Sequence, residues 1–391
     1  MKGIPISSYV VQLASRCNLN CSYCYVYNMG DQSWRTMPHF MSTEIVSLTA
    51  SRIYEHCKIH DLDEIFVSFH GGEPLLYGTS RMRNLLVRFS QALKGIKTHW
   101  GLQTNGLLLD EEWIRLFAEY DLKVGISLDG PAKVNDRSRV DHQGAGTHSR
   151  VIGNLRHLQS AEGQRVFTGC LTVIDPDSDP LEVFRHLVAL NSKVIDFLLP
   201  HANWENLPPS KCHDPYVMTP FADWLIPIFD EWFEHFSGKV EIRIFEEIME
   251  HLAGGTGSLE SLGIQPVSLI FVAPNGDIEA VDTLKSIPGQ QVLGMNLVTH
   301  SFDDVQAHPK YVMRQMGANS LADSCRLCPI LETCGGGYFP HRWSKANGFR
   351  NPSVYCSDLM KLILHIRARV RHQLHIASPE GPECCVNGEN G

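Results

Sequence analysis

The chain is expected to fold as an α/β protein, a partial (β/α)6 barrel of the TIM type followed by a cysteine-rich C-terminal extension. Three observations carry that expectation. Six strand-like segments alternate with amphipathic helical runs through the first two hundred residues. Polar loops follow the first four strands in turn, the last three of them bearing glycine. A second group of cysteines, from Cys325 onward, lies beyond the alternating region.

The strands read as Tyr9–Ala14, Ile65–His70, Thr98–Thr104, Lys123–Leu128, Val166–Ile174 and Val194–Pro200, rich in Val, Ile, Leu and Phe and bounded by Gly, Pro, Asp or Asn. Between them lie helical runs such as "STEIVSLTASRIYEHC", with Ser42 as N-cap and Glu44 in the first turn, "SRMRNLLVRFSQAL" and "DEEWIRLFAEY". Alternation at this spacing implies parallel strands joined by right-handed crossovers. A linker, "NWENLPPSKCHDPYVMTP", then leads to a helix from about Pro220 to Phe236. A hairpin of "SLIFVA" and "DIEAVDTL" follows, turning at Pro274-Asn275-Gly276. A last helix is expected near Ser357–His375. The expected division is a core over 1–235, an extension over 236–375 and a disordered tail over 376–391.

With 391 residues, 43% hydrophobic and 20% charged, the chain can bury a full core. A net charge of -9 argues against nucleic acid as a partner, and the basic stretch "HIRARVRH" reads as a solvated helix face. The N-terminus lacks a signal-peptide pattern, and no apolar run reaches the ~18 residues of a membrane span. The expected compartment is the cytoplasm, without membrane attachment. Disulfides rarely persist there, so clustered cysteines point to metal or to chemistry.

"CNLNCSYC" places Cys17, Cys21 and Cys24 at C-x3-C-x2-C, directly after the first strand. A structural zinc site wants four ligands, and no fourth lies at the usual spacing. Three cysteines on a [4Fe–4S] cluster leave one iron open. "HGGEP" (His70–Pro74), "QTNG" (Gln103–Gly106) and "SLDGP" (Ser127–Pro131) follow the next three strands. In a parallel barrel such loops converge at the end where active sites are built.

The triad with Tyr23 before its last cysteine, followed by GGEP, resembles the radical S-adenosylmethionine (SAM) superfamily. The resemblance implies that the open iron chelates SAM and that its cleavage yields a 5′-deoxyadenosyl radical. By motif, Gly71, Gly72 and Glu73 would hold the SAM amino group, with Pro74 fixing that turn. Ser127 and Asp129 would meet the ribose hydroxyls, Arg139 the carboxylate, and Tyr23 would lie against the adenine.

Cys325, Cys328 and Cys334 read C-x2-C-x5-C, with Cys356 downstream. From spacing alone a zinc ribbon competes. Beside the first motif, the pattern is similar to the SPASM extension of peptide- and protein-modifying members, which often carries two auxiliary [4Fe–4S] clusters. This sequence departs from it. Tyr338 stands where the pattern expects a fourth cysteine, Val281 stands where the hairpin would carry one, and no cysteine lies between Cys212 and Cys325. The resemblance therefore implies one auxiliary cluster, on Cys325, Cys328, Cys334 and Cys356, and two clusters per chain in all. Cys57 and Cys170 read as buried small hydrophobes, and Cys384 and Cys385 receive no role.

"CSYCYVYNMGDQSW", "GDIEAVDTLKS", "CGGGYFPHRW" and "NPSVYCSDL" resemble the FxsB-like SPASM maturases of ribosomally made peptides. That likeness implies a precursor-peptide substrate and a C–C crosslink between an aromatic ring and the β-carbon of a residue two further along, closing a three-residue cyclophane. It implies a reductant such as flavodoxin or ferredoxin. Asp282 is the candidate proton acceptor, against the alternative of a hairpin residue bonding its own backbone. "HANWENLPPSKCHDPYV" reads as a flexible lip over a peptide groove. The rivals are a formylglycine-generating sulfatase maturase, from which the lost auxiliary-cluster cysteines detract, a thioether-forming or epimerising enzyme, and a non-catalytic iron–sulfur or zinc protein.

Overall fold

The structure, a computed structural model, describes residues 4–377. β1 (Ser8–Ala14), β2 (Glu64–Gly71), β3 (Lys97–Thr104), β4 (Lys123–Ser127), β5 (Phe167–Val173) and β6 (Val194–Leu198) each pair in parallel with the next. They are the six expected strands, with ends shifted by one or two residues. The crossovers carry α1 (Thr43–Ile59), α2 (Thr79–Ala92), α3 (Glu111–Glu119), α4 (Ala132–Ser138), α5 (His148–Leu155), α6 (Ala161–Val166) and α7 (Pro180–Ala189). Caps fix several of these starts: Ser42 Oγ accepts from the Ile45 N–H, and Asp110 and Asp179 accept from the first turns of α3 and α7.

Beyond the barrel come α8 (Pro220–His235), β7 (Glu241–Ile242), α9 (Arg243–Leu252), β8 (Leu269–Val272), β9 (Asp277–Glu279) and β10 (Val292–Asn296). Four short helices follow, α10 (Phe302–Gln306), α11 (Pro309–Gln315), α12 (Asp323–Arg326) and α13 (Leu331–Cys334), and then α14 (Cys356–Ala377). The hairpin expected within the extension joins the barrel itself. β8 lies parallel to β1, with Ser8–Val11 opposite Leu269–Val272, so ten strands form one sheet in the order β10-β9-β8-β1-β2-β3-β4-β5-β6-β7. This position explains why β1 is apolar without alternation: it is covered on both edges and both faces. β7 and β10 were not anticipated. β7 has two residues, and β10 carries Gly294 at φ +69 inside a register shift, which breaks any alternating pattern.

The supposed lip is tied down. The Trp204 N–H donates to Trp343 O at 3.0 Å and its indole Nε1 to Pro352 O at 2.8 Å. Lys211 is wholly buried, with Nζ 2.5 Å from Asp358 Oδ2 and 2.7 Å from Met218 O. Asp358 Oδ1 in turn accepts from the Phe221 and Ala222 N–H groups at the start of α8. One buried ion pair thus clamps the linker, α8 and the first turn of α14. Cys57 and Cys170 are buried among apolar neighbours, as expected. The tail with Cys384 and Cys385 lies outside the described residues. Among those residues no helix is long and apolar enough to cross a membrane.

Candidate active site

A cavity of about 300 Å³ opens at the C-terminal ends of β1–β6. One wall is the cysteine loop after β1. Its residues are held by the segment after β4, with the Asn20 N–H donating to Val140 O at 2.8 Å and Ser22 N–H to Ser138 O at 3.1 Å. Cys17, Cys21 and Cys24 all line the cavity. Gly72 passes directly beneath this loop. A Cβ there would sit 1.8 Å from the Tyr27 hydroxyl oxygen and 2.4 Å from Arg16 O, so close approach alone demands glycine.

Glu73 is fully buried and fastens two barrel loops together. Its Oε1 accepts from the Leu75 N–H at 2.9 Å and the Thr104 hydroxyl at 2.7 Å, and its Oε2 from the Asn105 N–H at 2.8 Å. Burial pushes its carboxyl pKa up against these three bonds. Asn105 Nδ2 then reaches Asn18 Oδ1 at 2.8 Å and lies 3.8 Å from Cys17 Sγ. Ser127 faces the cavity and accepts from Gln103 Nε2 at 2.9 Å.

Tyr23, Asp129 and Arg139, far apart in sequence, form one buried row. The Tyr23 hydroxyl donates to Asp129 Oδ2 at 2.6 Å and accepts from Arg139 Nη1 at 2.8 Å. Tyr23 and Arg139 line the cavity, whereas Asp129 stands behind Tyr23 with its other oxygen accepting from the Val173 N–H at 3.1 Å. Its carboxylate orients Tyr23. Pro74 is also set back from the cavity, as the first residue of a 3-10 turn.

Asp282, 7% exposed, lines the same cavity as the cysteines, with Oδ2 accepting from the hydroxyl of Tyr25, the residue after Cys24, at 2.6 Å. His70 Nδ1 lies 3.6 Å from the same oxygen, an ion-pair distance rather than a hydrogen bond. Burial pushes the Asp282 carboxyl up, but His70, Tyr25 and Lys285 outweigh it and hold it at about 2. His201 completes this wall, its ring edge-on to Tyr25 at 4.7 Å. Tyr25, His70, Asn105 and His201 carried no role in the sequence reading. His70 and Asn105 sat in the strand-end loops that pointed to the site, but His201 followed the last barrel strand with no motif around it.

The second cysteine group closes on its own small site, where Cys325, Cys328, Cys334 and Cys356 meet Ile330, Leu331 and Met360. Both cysteine groups suit a cluster better than a single zinc. Among the described residues, no three of their sulfurs lie within 4.8 Å of one another. Tetrahedral zinc with about 2.3 Å bonds would bring them to roughly 3.8 Å. Arg342, 7% exposed, has Nε and Nη1 without hydrogen-bond partners, and the Cys325, Glu260 and Cys334 charges act on it. A buried cation with two unpartnered nitrogens near Cys325 and Cys334 fits an anionic cluster there. Tyr338, at the position of the missing cysteine, donates or accepts at 2.6 Å with the Thr283 hydroxyl.

A partial barrel with three cysteines at the mouth and a buried polar row beside them is the frame of a cluster- and nucleotide-binding enzyme. The Radical SAM superfamily model matches residues 11–187, and the chain belongs to that superfamily. Its cofactors are SAM and [4Fe–4S] clusters, an auxiliary one included. The chain is 23% identical to a cysteine-type anaerobic sulfatase-maturating enzyme of Clostridium perfringens, over 90% of this chain and 94% of that protein. It is 22% identical to a serine-type anaerobic sulfatase-maturating enzyme of Bacteroides thetaiotaomicron, over 93% and 89%. A solved structure described as native anSMEcpe with bound AdoMet and Kp18Cys peptide superposes with a TM-score of 0.80 at 22% identity, covering 94% of this chain and 99% of that one. The fold is therefore that of the sulfatase-maturase type. These relatives favour the rival reading over the crosslink implied by the FxsB-like segments.

Proposed function

We propose that this chain oxidises a side chain of a peptide substrate at its β-carbon, with Cys17, Cys21 and Cys24 holding the SAM-binding cluster and Cys325, Cys328, Cys334 and Cys356 the auxiliary one. The observation that supports it is a buried carboxylate held in its ionised form, Asp282, lining the same cavity as the three cysteines. When bound, SAM on its cluster supplies hydrogen-atom abstraction from an unactivated carbon. Tyr23 and Arg139 orient the nucleotide, and Gly71, Gly72 and Glu73 shape the turn against its methionine end. Asp282 then takes the proton lost in the same oxidation, from the hydroxyl or thiol on the oxidised carbon, with Tyr25 and His70 keeping the carboxylate ionised and aimed. Overall the peptide gives up two hydrogens, one as an atom and one as a proton, and a further electron, for which the auxiliary cluster held by Cys325, Cys328, Cys334 and Cys356 would be the acceptor.

The relatives' names favour a cysteine or serine as the residue oxidised, in the manner of sulfatase maturation. A second reading, closure of a cyclophane, is favoured by Val281 and Tyr338 at positions where the fuller pattern has cysteines. One experiment separates them. The holoenzyme is given cysteine- and serine-containing peptides, together with the product of any short reading frame beside its gene, and the products are fragmented by mass spectrometry. An aldehyde-reactive product supports sulfatase-type oxidation. A loss of two hydrogens, with fragmentation silent across an aromatic-x-x segment, supports the cyclophane. Asp282→Asn should lower product formation about 10²-fold while 5′-deoxyadenosine is still released. A normal rate in that variant would remove Asp282 from the mechanism.

A further inference from the structure

A second cavity of about 220 Å³ adjoins the first and shares Leu198, Leu199, His201 and Thr283 with it. It is the size of a side chain rather than of a whole small-molecule ligand. Leu259, Leu262, Ile244 and Leu359 supply apolar walls. Its inner end is a cluster of rings, with Tyr338 at 5.3 Å from His341 and His201 at 5.9 Å from His341, centre to centre. An inserted ring would meet their edges and faces at favourable distances.

His341 is 2% exposed, and neither of its ring nitrogens has a hydrogen-bond partner. His201 Nδ1 is buried and equally unpartnered. Unsatisfied buried nitrogens are costly, so a cavity lined by them calls for a ligand that hydrogen-bonds. Charged groups at the cavity are already paired, Asp196 with Arg243 at 2.5 Å and Glu260 with Arg314 at 2.7 Å. None is left to neutralise an ionised ligand, so the occupant is uncharged. Thr283 joins this cavity to Asp282, its neighbour in sequence, so an occupant sits beside the residue being oxidised.

We infer that this second cavity is a specificity subsite for a phenolic side chain, a tyrosine of the substrate peptide close to the modified residue, hydrogen-bonded by His341 and His201. The inference rests on the peptide reading above. It accounts for Tyr338 and Val281 in place of cysteines: without a cluster at that end, the space beside the active site is free to take a ring.

The test uses p-cresol, the tyrosine side chain alone, and toluene, its analogue without the hydroxyl, on the holoenzyme with SAM bound. Affinities are read by calorimetry or ligand-detected NMR. p-Cresol should bind with Kd of about 1 mM, and toluene about fivefold more weakly. Ser261→Trp, from the half-buried rim, should fill the cavity and weaken p-cresol at least about tenfold. His341→Phe should keep toluene binding and erase the preference for p-cresol. Equal binding of p-cresol and toluene, or p-cresol binding unchanged by Ser261→Trp, would overturn the subsite. Benzoate binding as tightly as p-cresol would overturn its restriction to uncharged rings. With a peptide that the enzyme modifies, p-cresol should raise KM and leave kcat unchanged, and no effect on KM would also overturn it. If no peptide is modified, the peptide reading fails by its own assay, and the p-cresol comparison still decides whether the cavity takes a phenol.

Discussion

Glu73→Gln keeps the shape of a fully buried side chain and removes its charge. Three donors converge on the native carboxylate, two on Oε1 and one on Oε2. Glutamine has one acceptor oxygen, so its NH2 must face a backbone N–H whichever way the amide is turned. One buried donor is left unpaired, costing about 1–3 kcal/mol. The bonds that remain fall from charge-assisted to neutral strength, about 1 kcal/mol each. Removing the charge returns part of the carboxylate's desolvation cost, which opposes these losses. The net is a destabilisation of about 2–3 kcal/mol. At an unfolding entropy of about 2.1 cal/mol/K per residue, this corresponds to a fall in Tm of about 2–4 °C. Because Asn105, released at its backbone, also braces Asn18 and touches Cys17, SAM affinity should fall with stability. Anaerobic calorimetry and a SAM titration on the reconstituted variant measure both. A variant with wild-type Tm and SAM affinity would refute the view that Glu73 works by tying two loops together.

The paired histidines make a pH prediction. Burial lowers His201 to about 4 and His341 well below its ordinary 6.5, so the fold holds both rings neutral. Their contribution is complete above the unfolded value near 6.5 and is lost as pH falls toward the folded values, at about 1.4 kcal/mol per pH unit for each proton. His341→Phe should therefore flatten the dependence of unfolding free energy on pH, between about 6 and 4.5, by one proton's worth; an unchanged slope would contradict it. Lys211→Met leaves Asp358 charged and buried without its cation, and should cost about 3–5 kcal/mol. Replacing Asp358 by Asn as well should recover part of that loss in urea unfolding, and an additive double variant would argue against the clamp.

The barrel strands were legible because each is a short apolar run closed by glycine, proline or a capping residue, and that chemistry is local. The cysteine spacings and the HGGEP, QTNG and SLDGP loops were legible for the same reason. Local sequence placed Asp282 on a hairpin but could not show that β8 docks beside β1, which carries that carboxylate to the cavity lined by Cys17, Cys21 and Cys24. Nor could it show that Asp129 stands behind Tyr23, or that the linker expected to be loose is clamped by Lys211 and Asp358. His201 and His341 come from segments 140 residues apart and meet only because β6 and the C-terminal region close on one another. Periodicity and turn chemistry determine which elements form. Long-range pairing and the burial of charge decide which side chains face one another, and only the tertiary structure holds that information.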